Sequence, residues 1–165
     1  QERLAFLREQ ADYIIDTSNL LVRDLRVELE KIFVQSKGYK NLFISVLSFG
    51  FKHGIPTDCD LVFDVRFLPN PYYEPELKHK TGLDREVQEF VLNADVTQVF
   101  LEKLIDMVRF LIPNYIAEGK NQLVIGIGCT GGHHRSVTVA GELYAALDVE
   151  DAQYGIKISH RDINR

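Results

Sequence analysis

Apolar and polar positions along the chain follow two periods. Leu42–Phe49, Gln122–Ile127 and Tyr154–Ser159 are short runs rich in apolar and β-branched residues and predict strands. Gln122–Ile127 is almost wholly apolar, as a central strand covered on both faces requires. Cys59–Phe67 predicts a further strand, with Leu61, Phe63, Val65 and Phe67 on one face and Asp60, Val62, Asp64 and Arg66 on the other. Helical recurrence fills the intervals. Thr81-Gly-Leu-Asp84 resembles a capping box and opens a short helix to about Leu92. Asp95-Val-Thr-Gln98 opens a longer one, whose predicted apolar stripe is Val96, Phe100, Leu104, Met107, Val108, Leu111 and Tyr115, with Pro113 near its end. Arg135–Leu147 predicts a helix burying Val137, Ala140, Leu143, Tyr144 and Leu147. Pro69–Pro75 predicts an extended, non-helical loop.

Strands that alternate with helices predict an α/β fold: a layered domain with a largely parallel sheet flanked by helices. The first stretch does not join that pattern. Asp12–Asp16 reads as a short strand, and Thr17 or Ser18 caps a helix to about Phe33 with Leu21, Leu25, Leu29 and Ile32 at helical spacing. A lone strand has no sheet of its own to enter. Residues 1–37 are therefore expected to be the tail of an upstream domain and its connecting helix, and residues 38–165 a ligand-binding domain.

Composition narrows the function classes. The 165 residues carry 45% hydrophobic and 26% charged side chains, ordinary globular values. A formal net charge of −5 disfavours broad attraction to nucleic acid or anionic membrane, but leaves room for a local basic pocket. No apolar stretch approaches the length of a membrane-spanning helix. Two isolated cysteines, Cys59 and Cys129, suit a reducing compartment, so the cytoplasm is expected; without a C-x-x-C pair or an H-E-x-x-H stretch, no metal is expected.

The most informative stretch is Gly126-Ile-Gly-Cys129-Thr130-Gly131-Gly132-His133-His134-Arg135-Ser136. It leaves a buried strand, turns through small residues and enters a helix, where backbone N–H groups and the helix dipole favour an anion. Glycine permits close approach, Arg135 offers a planar cationic fork, and Thr130 and Ser136 offer hydroxyls. Phosphate binding explains this set better than a tight turn with a surface arginine. The same residues also match the C-x5-R-[ST] loop of cysteine-dependent phosphatases. In that reading Cys129 is the nucleophile, helped by the helix dipole and His133 or His134, with Asp64 the candidate general acid. Where such phosphatases carry histidine before the cysteine, this chain has Gly128. A second cluster comprises Lys52, His53, Asp64 and Arg66 at strand ends, where α/β sheets collect ligands. Asp64 and Arg66 read equally well as ligand contacts or as a pair that anchors its own loop. His160 and Arg161 follow the last strand and read as a solvated pair.

Taken together, Ser48–Pro56, Val62–Pro71, Thr81–Asp84 and Ile127–Val137 resemble the RapZ/YvcJ family of bacterial nucleotide-binding proteins, over a match from about residue 12 onward. The resemblance implies a C-terminal domain similar to part of a phosphofructokinase, placed after an N-terminal P-loop domain. No G-x-x-x-x-G-K-[ST] is in this sequence, so the implied ATP or GTP hydrolysis, with its magnesium, is expected in that upstream partner domain and no cofactor is expected here. It further implies sensing of a phosphorylated metabolite, glucosamine-6-phosphate, through Cys129, Thr130, Gly131, Gly132, His134, Arg135 and Ser136. Self-association into a homo-oligomer is implied too. Small-RNA binding belongs to relatives with a basic tail, whereas Ser159–Arg165 here is weakly charged.

Overall fold

The computed structural model describes residues 42–150 and 152–165, together with Thr17, Leu21, Val22, Leu25, Arg26 and Leu29. The chain divides into two units, residues 1–39 and residues 40–165. The strand expected at Asp12–Asp16 lies outside the described residues, as does most of the helix expected after it. Of that helix's apolar stripe, Leu21 and Leu29 are exposed.

Four parallel strands form one sheet in the order β2-β3-β1-β4: β1 (Leu42–Gly50), β2 (Leu61–Asp64), β3 (Gln122–Cys129) and β4 (Tyr154–His160). Three helices complete the domain: α1 (Arg85–Leu92), α2 (Asp95–Ala117) and α3 (Arg135–Leu147). This is the expected layered α/β fold. Position in the sheet explains the sequence pattern of each strand. β3 and β1 lie inside, and β3 is buried without interruption from Leu123 to Cys129. The edge strands β2 and β4 alternate half-buried and exposed residues instead. Leu42, Ile44, Val46, Leu123, Ile125 and Ile127 from the inner strands meet Leu104, Val108 and Ile112 of α2 and Val139, Ala140, Leu143 and Leu147 of α3 in one apolar core. Each buried aliphatic side chain there contributes on the order of 1.5–3 kcal/mol of transfer free energy.

Four expectations are revised. The strand expected at Cys59–Phe67 keeps ladder pairing from Leu61 to Asp64, flanked by bonds from the Asp60 amide to the Val124 carbonyl and from the Val65 amide to the Gly128 carbonyl. The backbone then turns, and the Leu68 amide bonds back to the Val65 carbonyl. Leu68 takes the inward place while Phe67 swings out to meet the Phe100 ring edge-on at 5.3 Å. On α2 the buried stripe is Thr97, Leu101, Leu104, Val108 and Ile112, leaving Val96 and Met107 half exposed. α2 carries apolar residues on more than one side, so period alone left its rotation about the axis undetermined. Tyr144, expected to be buried, is partly exposed and donates its hydroxyl proton to Asp148 at 2.8 Å. The loop at Pro69–Pro75, expected to be non-helical, contains one 3-10 turn, Pro71–Tyr73, in which the Tyr72 amide donates to the Asn70 side-chain oxygen.

Because all four strands run the same way, their carboxyl ends share one edge. The turns after β1, β2, β3 and β4 therefore converge there.

Candidate functional site

A cavity of about 620 Å³ opens at that edge, within the range of small-molecule sites. Its walls come from the turn after β1 (Lys52), the loop after β2 (Asn70, Tyr72, Tyr73, Lys78, His79, Lys80, Thr81), the turn after β3 (Cys129 to Gly131, His133 to Arg135) and Ile163 after β4.

The turn after β3 is pinned from several sides. Gly132 adopts φ +83°, a left-handed conformation that disfavours any side chain. A Cβ there would lie 2.8 Å from both the Gly50 nitrogen and the Asp162 Cβ. The Gly132 amide donates to Cys129 Sγ at 3.2 Å, and Ser136 Oγ lies 3.1 Å from the same sulfur. Cys129 is only 3% exposed. Among the described residues, the amides of Gly131, His133 and His134 meet no acceptor. His133 Nδ1 bonds the Ile163 carbonyl at 3.0 Å, and the Lys52 amide donates to the Thr130 carbonyl at 3.2 Å.

Arg135 opens α3 and is 5% exposed. Its Nη1 donates to the carbonyls of Arg66 and Leu68, so that arm is committed to the loop after β2. Nη2 reaches towards Thr130 Oγ1 at 3.4 Å, and Nε is buried without a partner. The two-armed grip expected from the sequence therefore reduces to one arm and an unsatisfied nitrogen. Burial pulls the guanidinium pKa downward, against the opposing influence of Cys129 and Asp64. His134 beside it also has a buried, unpartnered Nε2, and burial lowers its pKa, opposed by the backbone of Lys80, Leu77 and Lys78. Buried polar atoms without partners are uncommon in folded proteins and mark places where a ligand or water completes the bonding.

Thr81-Gly-Leu-Asp84 closes this wall. The Asp84 carboxylate accepts from the Thr81 amide at 2.7 Å and from its hydroxyl at 2.9 Å, half of the anticipated capping box, formed one turn before α1. Gly82 packs so tightly on α3 that a Cβ would lie 2.4 Å from the His134 carbonyl oxygen, and its amide bonds the His133 carbonyl at 2.7 Å.

Of the residues singled out in the sequence, Lys52, Cys129, Thr130, Gly131, His134 and Arg135 line the cavity. Gly132 and Ser136 sit immediately behind it, shaping the turn and contacting Cys129. His53, Asp64 and Arg66 are not among the lining residues. Asp64 and Arg66 instead close on each other: Arg66 Nε and Nη2 donate to the carboxylate at 2.6 to 3.0 Å, and the Arg66 guanidinium stacks over Phe51 at 4.3 Å. The hydrogen bonds from Arg66 hold the Asp64 carboxyl below its ordinary pKa. Arg161 is likewise built in, donating to the Gly54 carbonyl at 2.7 Å, and His160 Nδ1 meets Ser48 Oγ at 2.8 Å. Tyr72, Tyr73, Lys78, His79 and Lys80 were missed as site residues. Their only sequence signal was a proline-rich loop ending in three consecutive basic or imidazole side chains, Lys78-His-Lys80.

The charge of the cavity is one-sided. Lys52, Lys78, Lys80, Arg135 and three histidines line it, and no carboxylate does. Lys80 is partly offset by Glu86 at 2.8 Å, and Lys78 lies over the Tyr72 ring at 4.8 Å. Lys52 forms no ion pair among the described residues. Among those residues no cluster of three or more His, Cys, Asp or Glu could hold a metal ion, and no helix is long and apolar enough to cross a membrane.

A family model for the RapZ C-terminal domain matches residues 42–164, which takes in the whole sheet and every wall of the cavity. The chain belongs to that family. It is 62% identical over 165 residues to a "nucleotide-binding protein" of Agathobacter rectalis and 62% identical over 165 residues to one of Lachnoclostridium phytofermentans. Against one of Caldicellulosiruptor bescii it is 56% identical over 165 residues. All of this chain is covered in each case, but only 56%, 57% and 56% of the relatives, so the chain spans little more than half their length.

Proposed function

We propose that this RapZ-like C-terminal domain senses a phosphorylated sugar, glucosamine-6-phosphate or a close analogue, and reports occupancy to the remainder of a nucleotide-binding protein. The observation that carries this reading is a cavity in a net-acidic chain whose charged lining is exclusively cationic or imidazole. Phosphate finds there an unpaired lysine, one arm of a buried guanidinium, a threonine hydroxyl and amides at a helix N-terminus. Tyr72, Tyr73 and Asn70 supply the mixture of ring faces and polar atoms that suits a sugar. Binding accounts for the geometry better than phosphoryl transfer, because the candidate acid Asp64 is held by Arg66 away from the cavity lining. The nucleotide binding named for the relatives is placed, in this reading, in the part of those proteins that this chain does not span.

Titration calorimetry tests it with glucosamine-6-phosphate, inorganic phosphate and unphosphorylated glucosamine. The phosphosugar is expected to bind, and Lys52→Ala to weaken it about ten- to a hundredfold, the worth of one charge-assisted hydrogen bond. No binding by the unaltered protein, or equal binding of glucosamine with and without phosphate, overturns the reading.

A further inference from the structure

The cavity's two glycine turns meet backbone to backbone. A Cβ on Gly50 would lie 2.5 Å from the Gly131 carbonyl carbon, and one on Gly132 would lie 2.8 Å from the Gly50 nitrogen. Behind this contact sits Asp162, a carboxylate with no exposed surface, from the segment that follows β4. Its Oδ2 accepts the Gly50 amide at 2.8 Å and two bonds from Arg161, from Nε at 3.0 Å and Nη2 at 2.8 Å. Arg165 Nη1 stands 3.4 Å from Oδ1, which has no hydrogen-bond partner. Arg161 also donates to the carbonyl of Gly54, at the far end of the turn that carries Lys52. One residue beyond Asp162, the Ile163 carbonyl holds the His133 ring, and Ile163 itself lines the cavity.

A buried carboxylate is costly unless its bonds are specific. Here the bonds run to the first turn, the close packing to the second, and the neighbouring carbonyl to a cavity histidine. We propose that Asp162 is a positioning residue of the anion site. Through the Gly50 amide it sets the separation between the Lys52 turn and the Gly131–Gly132 turn, and the segment Arg161–Ile163 thereby acts as a strap that preorganises both cationic walls. A strap of this kind links ligand occupancy to the segment after β4, because a phosphate drawn in by Lys52 and the amides near His133 bears on the two turns that Asp162 joins. The inference rests on the sensing reading for the identity of the ligand, but not for the strap itself.

The test compares Asp162→Asn, which preserves shape and removes charge, with Asp162→Ala and with Ile112→Val, a core control that does not line the cavity. Amide exchange at Gly50 and the ring-nitrogen chemical shift of His133 are read without ligand, and glucosamine-6-phosphate affinity is read by calorimetry. Asp162→Asn is expected to speed Gly50 exchange and weaken affinity, each about tenfold, the effect of losing one charge-assisted bond. It is also expected to shift the His133 signal. Asp162→Ala is expected to do more of each, and the control to lower the melting temperature while leaving affinity within about twofold. Should Asp162→Ala fail to fold, Asp162→Asn decides. Unchanged Gly50 exchange with unchanged affinity in Asp162→Asn, or an equal affinity loss in the control, overturns the proposal. If the unaltered protein binds no phosphosugar, the sensing reading fails, while Gly50 exchange and the His133 signal still judge the strap.

Discussion

Asp64 and Arg66 at the end of β2 and Arg135 and His134 beyond the end of β3 stand one strand apart; in the sequence the second pair read as ligand contacts and the first equally as ligand contacts or as a pair anchoring its own loop. The first pair is 43% and 51% exposed and saturated by its own hydrogen bonds. The second is buried, and each member keeps a nitrogen without a partner. Exposed ion pairs cost little to form and little to lose, because water replaces what each partner gives up. A buried donor has no such substitute, so its unmet bond is a standing preference for an anion or an acceptor. The difference teaches that polar residues at a sheet's carboxyl edge become a site through desolvation and incomplete satisfaction, not through proximity alone.

The comparison breaks most readily at the glycine turn. Gly132→Ala places a side chain at φ +83° and 2.8 Å from Gly50 nitrogen, and is expected to cost about 1–3 kcal/mol in chemical denaturation. Its phosphosugar affinity should fall with it. Wild-type stability in this variant would show that the two turns can separate freely, leaving the buried pair no fixed geometry.

Acid sharpens the contrast by an intermediate amount. Burial lowers the pKa of His134 and of His160 from an ordinary value of 6.5. The unfolded chain therefore takes up protons first as pH falls through that value, and folded stability declines with it; above it the contribution is flat. Melting temperature is expected to drop between about pH 7.5 and about pH 5.5, and His160→Gln to flatten the slope. A profile that rises on acidification would contradict the burial of both rings. The smallest change is expected at the saturated pair. Asp64→Asn should alter stability by less than about 1 kcal/mol and leave phosphosugar affinity within about twofold, whereas a large loss of affinity would move Asp64 into the site.

Much of the frame was legible along the chain. Gln122 to Ile127 announced a central strand because both its faces exclude water, and α3 could be delimited because apolar residues recur at helical spacing from Val137 to Leu147. The glycine turn was legible for a similar reason: small residues between a buried strand and a helix leave few alternatives. The rotation of α2 was not, since Val96 and Met107 are as apolar as the residues buried in their place. Nor was the outward swing of Phe67, which follows from the chain leaving β3 after Val65.

The sequence by itself determined that parallel strands and helices would alternate and that a phosphate-like loop would follow β3, because hydrophobic period and glycine placement are local properties. Only the tertiary structure decided which charges serve that loop. Lys78, His79 and Lys80 reach it from a distant loop, Asp64 withdraws from it, and Asp162 braces it from beyond β4. Those assignments depend on which strand ends lie side by side and on how far each group is removed from water, and neither quantity is carried by any single stretch of chain.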